Sequence, residues 1–420
     1  MQYSNPANLA ILACPGGSAF ADELLIHLKN HYLHIFNRSK ADMAKRYSMG
    51  IEDVEKYINF VNEISASGQT AHHSDNKLHV PRFKMNARWS LFPNGEVKAE
   101  ILESVRGKDV YIVQDVENHY PVSFNDGTLT RAMTVNDHLM MIFVTVDAVK
   151  QAAAGRITLV LPVYPYSRQH KRKGREGLTA SRIGSILENL GVDRIITLDI
   201  HSREIGNGFN RMRIENLHAS YQIIQKLSGI IPLQSDELVV VAPDTGAVDR
   251  NKFYATGIKK PLALLYKERD YSRVTKNAME SNIAEIKLLG KVRGKIVFMA
   301  DDMIGTGGTL LKAMQFLKDE GAKQVICAVS LPVFSGDAIN YFDEAYKKGL
   351  FYRIIGTNAV YHEELWQREW FVFVNITKLF AHTISRLHQG LSLSSILDNR
   401  DMIIKTLLLK NETPAAPEAN

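Results

Sequence analysis

Residues 296–310 read Ile-Val-Phe-Met-Ala-Asp-Asp-Met-Ile-Gly-Thr-Gly-Gly-Thr-Leu. An apolar run, two adjacent carboxylates and a loop of small and hydroxyl residues follow one another without a break. The run Ile296–Ala300 suits a strand buried on both faces of a parallel sheet. Asp301 and Asp302 then stand at its carboxyl end, where open α/β sheets bind ligands. Thr306, Gly307, Gly308 and Thr309 open a helix whose apolar positions (Leu310, Ala313, Met314, Leu317) follow a helical period. Glycines let backbone N–H groups crowd an anion, threonines add hydroxyl donors, and the helix N-terminus adds positive potential. Paired acids beside such a cradle suit a sugar phosphate: the acids take ribose hydroxyls and the loop takes the 5-phosphate. The plain alternative is an acidic turn before a helix.

The same arrangement recurs along the chain. Ile157–Pro162 leads to Tyr164–Arg168, Ile195–Ile200 ends at His201, and Leu238–Pro243 ends at Asp244. Leu262–Tyr266 ends at Lys267, Glu268 and Arg269, and Val325–Leu331 leads to Phe334, Ser335 and Gly336. Helical patterns such as Ala180–Leu190 and Met279–Leu289 lie between several of them. Strand–helix alternation of this kind predicts an α/β chain of parallel sheets flanked by helices, with one ligand crevice lined by strand termini.

Composition narrows the partners. A chain of 420 residues has room for two or three domains. The net charge of +6 fits a phosphorylated small molecule, and no aromatic-interleaved basic stripe supports nucleic-acid binding. Cys14 and Cys327 are the only cysteines, so neither a disulfide framework nor a cysteine zinc site is expected. No apolar run reaches the ~18 residues of a membrane span, and the N-terminus lacks the pattern of a secretory signal. The cytoplasm is the expected compartment.

Three segments read as additions. Residues 34–85 carry an amphipathic helix pattern (Val54, Tyr57, Ile58, Val61, Ile64) and a polar stretch with His72, His73 and Asp75, read as a solvated loop rather than a metal site. Residues 118–133 are polar with Gly and Pro and read as a loop. Residues 411–420, rich in Pro, Ala and Glu, read as a disordered tail.

From Phe92 onward the motifs form an ordered series: Phe92-Pro93-Asn94-Gly95-Glu96, Glu103 to Val110, Asn136 to Met140, Tyr164 to Gln169 and Ser181 to Ile200. Val241 to Asp244, Tyr266 to Arg269, the 296–310 segment, Phe334 to Gly336 and Leu379 to Leu397 continue it. This series resembles the ribose-phosphate diphosphokinases (phosphoribosyl-diphosphate synthetases) over roughly 300 of the 420 residues. The resemblance implies two phosphoribosyltransferase-like domains related by pseudo-symmetry. The first spans 1–218 and takes back a C-terminal helix near 375–389; the second spans 219–400. It also implies a reaction: Mg²⁺-dependent transfer of the diphosphoryl group of ATP to the C1 hydroxyl of ribose 5-phosphate, with AMP released and nucleotide biosynthesis supplied.

The resemblance assigns roles residue by residue. Lys267 and Arg269 stabilise the transition state, as a transfer driven by positioning and charge neutralisation requires. They lie two apart, on one side if the stretch is extended. His201 and Asp244 are linked to Mg²⁺, which prefers oxygen ligands and keeps several waters. Asp199 would share the face of His201 in a regular strand. Arg168 and Gln169 bind ATP. Residues 170–177, with four cations including Arg175, resemble a loop that closes over ATP and excludes water. Phe92, Asn94 and Glu96 hold the adenine of ATP bound to a neighbouring subunit, an aromatic face with polar groups beside it. A homo-oligomer follows. Asp301, Asp302, Gly305, Thr306, Gly307, Gly308 and Thr309 bind ribose 5-phosphate.

The chain departs from the family in places. Gly305 stands where an Asp is usual, which moves the loop toward the phosphoribosyltransferase form. His170 follows Gln169 in place of Asp, and Gly177-Leu178 replaces Pro-Ile. The insertion at 118–133 and the run Ala152–Ala154 fall near the family's regulatory anion pocket. Two other readings are a phosphoribosyltransferase, which needs neither the Arg168 nor the Lys267 motif, and a non-catalytic regulatory subunit, which would be expected to lose catalytic charges that this chain keeps.

Overall fold

The computed structural model describes residues 6–57, 82–172, 174–269, 283–400 and 402–403. The chain divides into two compact units, 1–217 with 377–396, and 218–376 with 397–420. His72, His73 and Asp75, the helix pattern beyond Tyr57, and the 411–420 tail lie outside the described residues.

The first unit contains strands β1 (Leu9–Ala13), β2 (Ala87–Leu91), β3 (Val97–Ile101), β4 (Asp109–Val113), β5 (Pro121–Phe124), β6 (Leu129–Ala132), β7 (Arg156–Val160), β8 (Arg194–Leu198) and β9 (Arg213–Leu217). Its central sheet runs β1-β4-β7-β8-β9, every pair parallel. All five residues of β4 are buried, as expected of a strand covered on both faces. Its helices are α1 (Ser18–Tyr47), α2 (Ile51–Tyr57), α3 (Val135–Gln151) and α4 (Thr179–Leu190). On α1, Phe20, Leu24, Leu28, Tyr32 and Phe36 recur every four residues and all are buried. Helix α3 starts with a capping box: Thr134 Oγ1 accepts from the Asp137 amide, and Asp137 Oδ2 accepts from the Thr134 amide. Helix α4 stops where Gly191 turns left-handed, at φ 100°.

The second unit contains β10 (Leu238–Ala242), β11 (Leu262–Arg269), β12 (Ile283–Leu289), β13 (Ile296–Ile304), β14 (Gln324–Pro332), β15 (Arg353–Thr357) and β16 (Phe371–Val374), in the order β12-β11-β10-β13-β14-β15-β16. All pairs are parallel except β11–β12. Helices α5 (Ser220–Ile230), α6 (Val248–Gly257), α7 (Gly308–Asp319), α8 (Ala338–Lys347) and α9 (Glu363–Trp366) accompany it. The core packs α7 and α8 residues (Met314, Leu317, Phe342) against strand residues (Val297, Met299, Val325, Ile354). Helix α10 (Thr377–His388), which follows this unit in sequence, belongs to the first; Phe380 meets Phe20 of α1 edge to face at 5.2 Å. The expected fold class, α/β with parallel sheets and flanking helices, is the one observed.

Two local expectations are corrected. Residues 283–289 form a strand, not a helix, because pairing with β11 satisfies their backbone groups and overrides a helical apolar spacing. Residues 118–133 are not a plain loop: β5 and β6 pair as an antiparallel hairpin. Its inward positions, Val122 and Phe124, are buried, while all four residues of β6 are exposed.

Candidate active site

Strand β13 runs past the apolar stretch and carries Asp301 and Asp302 within it. Asp302 is buried and Asp301 half-buried. Each carboxylate accepts the next backbone amide: Asp301 Oδ1 from Asp302 N at 2.8 Å, and Asp302 Oδ1 from Met303 N at 2.9 Å. Burial, then the negative charge of Asp302 and its hydrogen bond, then Asp244, push the Asp301 carboxyl up to about 7.

Gly305 to Gly307 then turn into α7. Gly307 has φ 77°, and a Cβ there would lie 2.3 Å from the Phe342 ring, so the position tolerates only glycine. Phe334 and Ser335 donate their amides to the Ile304 and Gly305 carbonyls at 2.8 and 3.1 Å, which holds the turn from below. Thr306 and Thr309 are exposed. Among the described residues no side chain caps α7, and an uncapped helix start suits an anion.

Asp244, two residues beyond β10, caps the turn that starts α6, accepting from Ala247 N at 3.0 Å through Oδ1. Buried Asn251 on α6 ties this turn to β13. Its Nδ2 donates to the Ala247 and Ala300 carbonyls, each at 2.8 Å, and its Oδ1 accepts from Ala300 N at 2.8 Å. Asn251 therefore fixes the residue immediately before Asp301. Sequence reasoning missed it: a polar side chain inside a helix reads as solvent-facing unless its partner is known.

Strand β11 neighbours β10, with Val240 beside Leu262, while Val240 also pairs Phe298 of β13. Both pairings are parallel, so the carboxyl ends of the three strands lie at the same edge of the sheet. Lys267 and Arg269 follow on β11, opposite Ile286 and Ile283, with a register shift after Glu268. Their side chains lie outside the described residues.

The first unit carries the remaining candidates. Arg168 and Gln169 are exposed on a turn closed by Gln169 N donating to the Tyr166 carbonyl at 2.8 Å; Tyr166 is itself left-handed at φ 56°. Burial raises Glu117, which the nearby Arg168 guanidinium partly offsets. Arg175 is exposed. The His170 ring packs edge-on to the exposed His201 ring, centroids 4.9 Å apart. The face shared by Asp199 and His201 is not formed: β8 ends at Leu198 and Asp199 turns left-handed at φ 40°, which breaks the alternation. Phe92, Asn94 and Glu96 form the exposed turn between β2 and β3, where Asn94 Oδ1 accepts from Glu96 N at 3.2 Å.

The structure thus brings Asp244, Asp301 and Asp302 together with the glycine loop in one unit, and places Arg168, Gln169, Arg175, His201 and the Phe92 turn in the other. Among the described residues no group of three or more His, Cys, Asp or Glu is arranged to hold a metal unaided. Burial and then two neighbouring carboxylates raise Asp301, a setting that a cation would relieve, and oxygen donors are what Mg²⁺ takes. The donor set fits Mg²⁺ on those terms, with water and ligand phosphates completing the coordination.

Acids at strand ends above a glycine-rich helix entry define a class: α/β proteins that hold a phosphorylated sugar at a strand–loop–helix turn. Comparison with known proteins narrows it. Residues 61–191 match the N-terminal domain of ribose phosphate pyrophosphokinase, and residues 210–364 match the phosphoribosyl transferase domain. Ribose-phosphate pyrophosphokinase A of Dictyostelium discoideum is 35% identical over 310 residues, spanning 73% of this chain and 88% of the relative. The ribose-phosphate pyrophosphokinase of Bacillus caldolyticus is 32% identical over 311 residues, 74% of this chain and 89% of the relative. The crystal structure of phosphoribosylpyrophosphate synthetase from Mycobacterium smegmatis superposes with a TM-score of 0.65 at 25% identity, covering 91% of this chain and 99% of that one. The chain belongs to the ribose-phosphate pyrophosphokinase family, and it is an enzyme of that family.

Proposed function

We propose that this chain moves the β,γ-diphosphoryl group of ATP to the C1 hydroxyl of ribose 5-phosphate. The hydroxyl oxygen bonds to the β-phosphorus, the bond to the α-phosphate oxygen breaks, and AMP leaves with 5-phosphoribosyl 1-diphosphate as the second product. The loop after β13 carries this reading. Its uncapped helix start binds the 5-phosphate, and Asp301 and Asp302 accept from the ribose hydroxyls. Lys267 and Arg269 stabilise charge on the transferring group. Arg168, Gln169 and Arg175 hold the ATP phosphates and sugar, and the Phe92 turn takes the adenine of a neighbouring subunit in a homo-oligomer. Asp244 and His201 would bear on Mg²⁺, which when bound supplies charge neutralisation for the polyphosphate. The reaction is proposed to take place in the cytoplasm; among the described residues no helix is long and apolar enough to cross a membrane.

Incubation with ribose 5-phosphate, ATP and Mg²⁺ is expected to yield AMP and phosphoribosyl diphosphate in equal amounts. Consumption of phosphoribosyl diphosphate with a free base, and no AMP from ATP, would identify a phosphoribosyltransferase instead. Neither activity would identify a regulatory subunit.

A further inference from the structure

The β2–β3 turn is not self-supporting. Its own backbone bonds are two, Phe92 N to the Glu96 carbonyl at 2.8 Å and Gly95 N to the Phe92 carbonyl at 2.9 Å. The ribbon leans on α3, where Trp89 Nε1 of β2 donates to Thr145 Oγ1 at 3.0 Å, but its last residue before the turn, Leu91, is held from the β5–β6 hairpin. Asn125 Oδ1 accepts from the Leu91 amide at 3.0 Å, and Asn125 Nδ2 donates to the Leu91 carbonyl at 3.3 Å. One side chain therefore takes both backbone groups of the residue before Phe92. Alongside, Arg88 Nε of β2 donates to Asp126 Oδ1 at 3.0 Å.

The hairpin is bent to make these contacts. Asn125, Asp126 and Gly127 are consecutive left-handed residues, at φ 51°, 55° and 87°. Asn and Asp bear that conformation better than other side-chain residues, and such strain persists only where the surroundings enforce it. β6 is exposed at all four positions, so it adds nothing to a core. What the hairpin does add is the grip of its tip on the ribbon that carries Phe92.

We propose that Asn125 is a positioning residue for the nucleotide base: by locking Leu91 it sets how the Phe92 ring and the polar groups of Asn94 and Glu96 meet the purine of ATP. This rests on the reading of residues 92–96 as the purine-binding turn. The test compares Asn125→Gly, Asn125→Asp and Phe92→Ala in the full-length enzyme by steady-state kinetics. Glycine keeps the left-handed backbone and removes only the clamp. It is expected to raise KM for ATP about tenfold, with kcat and KM for ribose 5-phosphate within about twofold of the parent. Aspartate keeps the acceptor for the Leu91 amide and is expected to give a smaller rise. Phe92→Ala is expected to raise KM for ATP at least as much as Asn125→Gly. An unchanged KM for ATP in Phe92→Ala would sink the reading of the turn. A normal KM for ATP in Asn125→Gly, beside a raised one in Phe92→Ala, would overturn the role of Asn125 alone. So would a parallel fall in kcat and in affinity for both substrates. If the glycine variant does not fold, the aspartate variant decides by the same split.

Discussion

Two carboxylates, one in each sheet, the first fully buried and the second half-buried, have opposite fates. Asp109 begins β4 and is fully buried. Arg156 Nε donates to its Oδ1 at 2.8 Å, the Tyr111 hydroxyl to its Oδ2 at 3.1 Å, and His388 Nδ1 lies 2.9 Å from the same oxygen. Burial alone would raise this carboxyl, but the His388 hydrogen bond and the Arg156 guanidinium outweigh it and hold it below the usual carboxylate range. Asp301 lies at the other end of its strand, beside Asp302 and near Asp244, and is pushed up to about 7. The contrast separates an acid with its own partners from one proposed to meet a ligand. The first has the Arg156 guanidinium and the His388 imidazole as partners and joins α10 to the sheet. The second is left in like-charged company that a bound cation and sugar would relieve.

The sharpest break would come at Lys267 and Arg269, proposed to stabilise charge on the transferring group. Replacing Lys267 and Arg269 together by alanine should leave circular dichroism and thermal unfolding close to the parent while turnover drops about 10³-fold or more. Turnover within about tenfold of the parent would remove both from the chemistry.

The next test exchanges the two acids. Asp109→Ala leaves Arg156 and His388 facing an empty site in the interior and should cost about 3–5 kcal/mol in denaturant unfolding. Asp301→Asn should leave stability unchanged or slightly higher, yet weaken ribose 5-phosphate binding by calorimetry about 10- to 100-fold. The reverse pattern would mean the two roles are misassigned.

The smallest effect is in pH. The folded carboxyl of Asp301 binds its proton more tightly than the unfolded one, so its contribution to stability is full at low pH. It declines as pH rises from about 4 to about 7. Unfolding of the ligand-free protein should therefore lose on the order of 2 kcal/mol across that window, less than the whole shift implies because solvent reaches the site. Asp301→Asn should flatten the slope. Asp109 acts with the opposite sign: its depressed carboxyl supports the fold above the ordinary carboxylate range and withdraws that support as pH falls below it.

Much of the fold could be read from the chain because parallel α/β units write themselves as apolar runs with punctuated ends. The segment from Ile296 to Leu317 showed its strand, its loop and its helix in sequence. What escaped were features whose cause is a distant partner. Ile283–Leu289 is a strand because β11 lies beside it. The 121–132 hairpin is stabilised partly by Leu91 and Arg88, some 35 residues earlier. Asn251 and Asn125 are ordinary polar residues until the carbonyls they meet are known. Asp199 looked like a companion of His201 because strand alternation was carried three residues past Leu198, where the strand ends.

The bond between Asp109 and His388 also orders events in time. Strand β4 leaves the ribosome early, but the helix that completes its setting is encoded after every strand of the second unit. A nascent chain must hold the first unit unfinished, with Asp109 lacking His388, until the strands of the second unit have been made. A premature stop before α10 would strand that unit half-built, whatever the state of the rest.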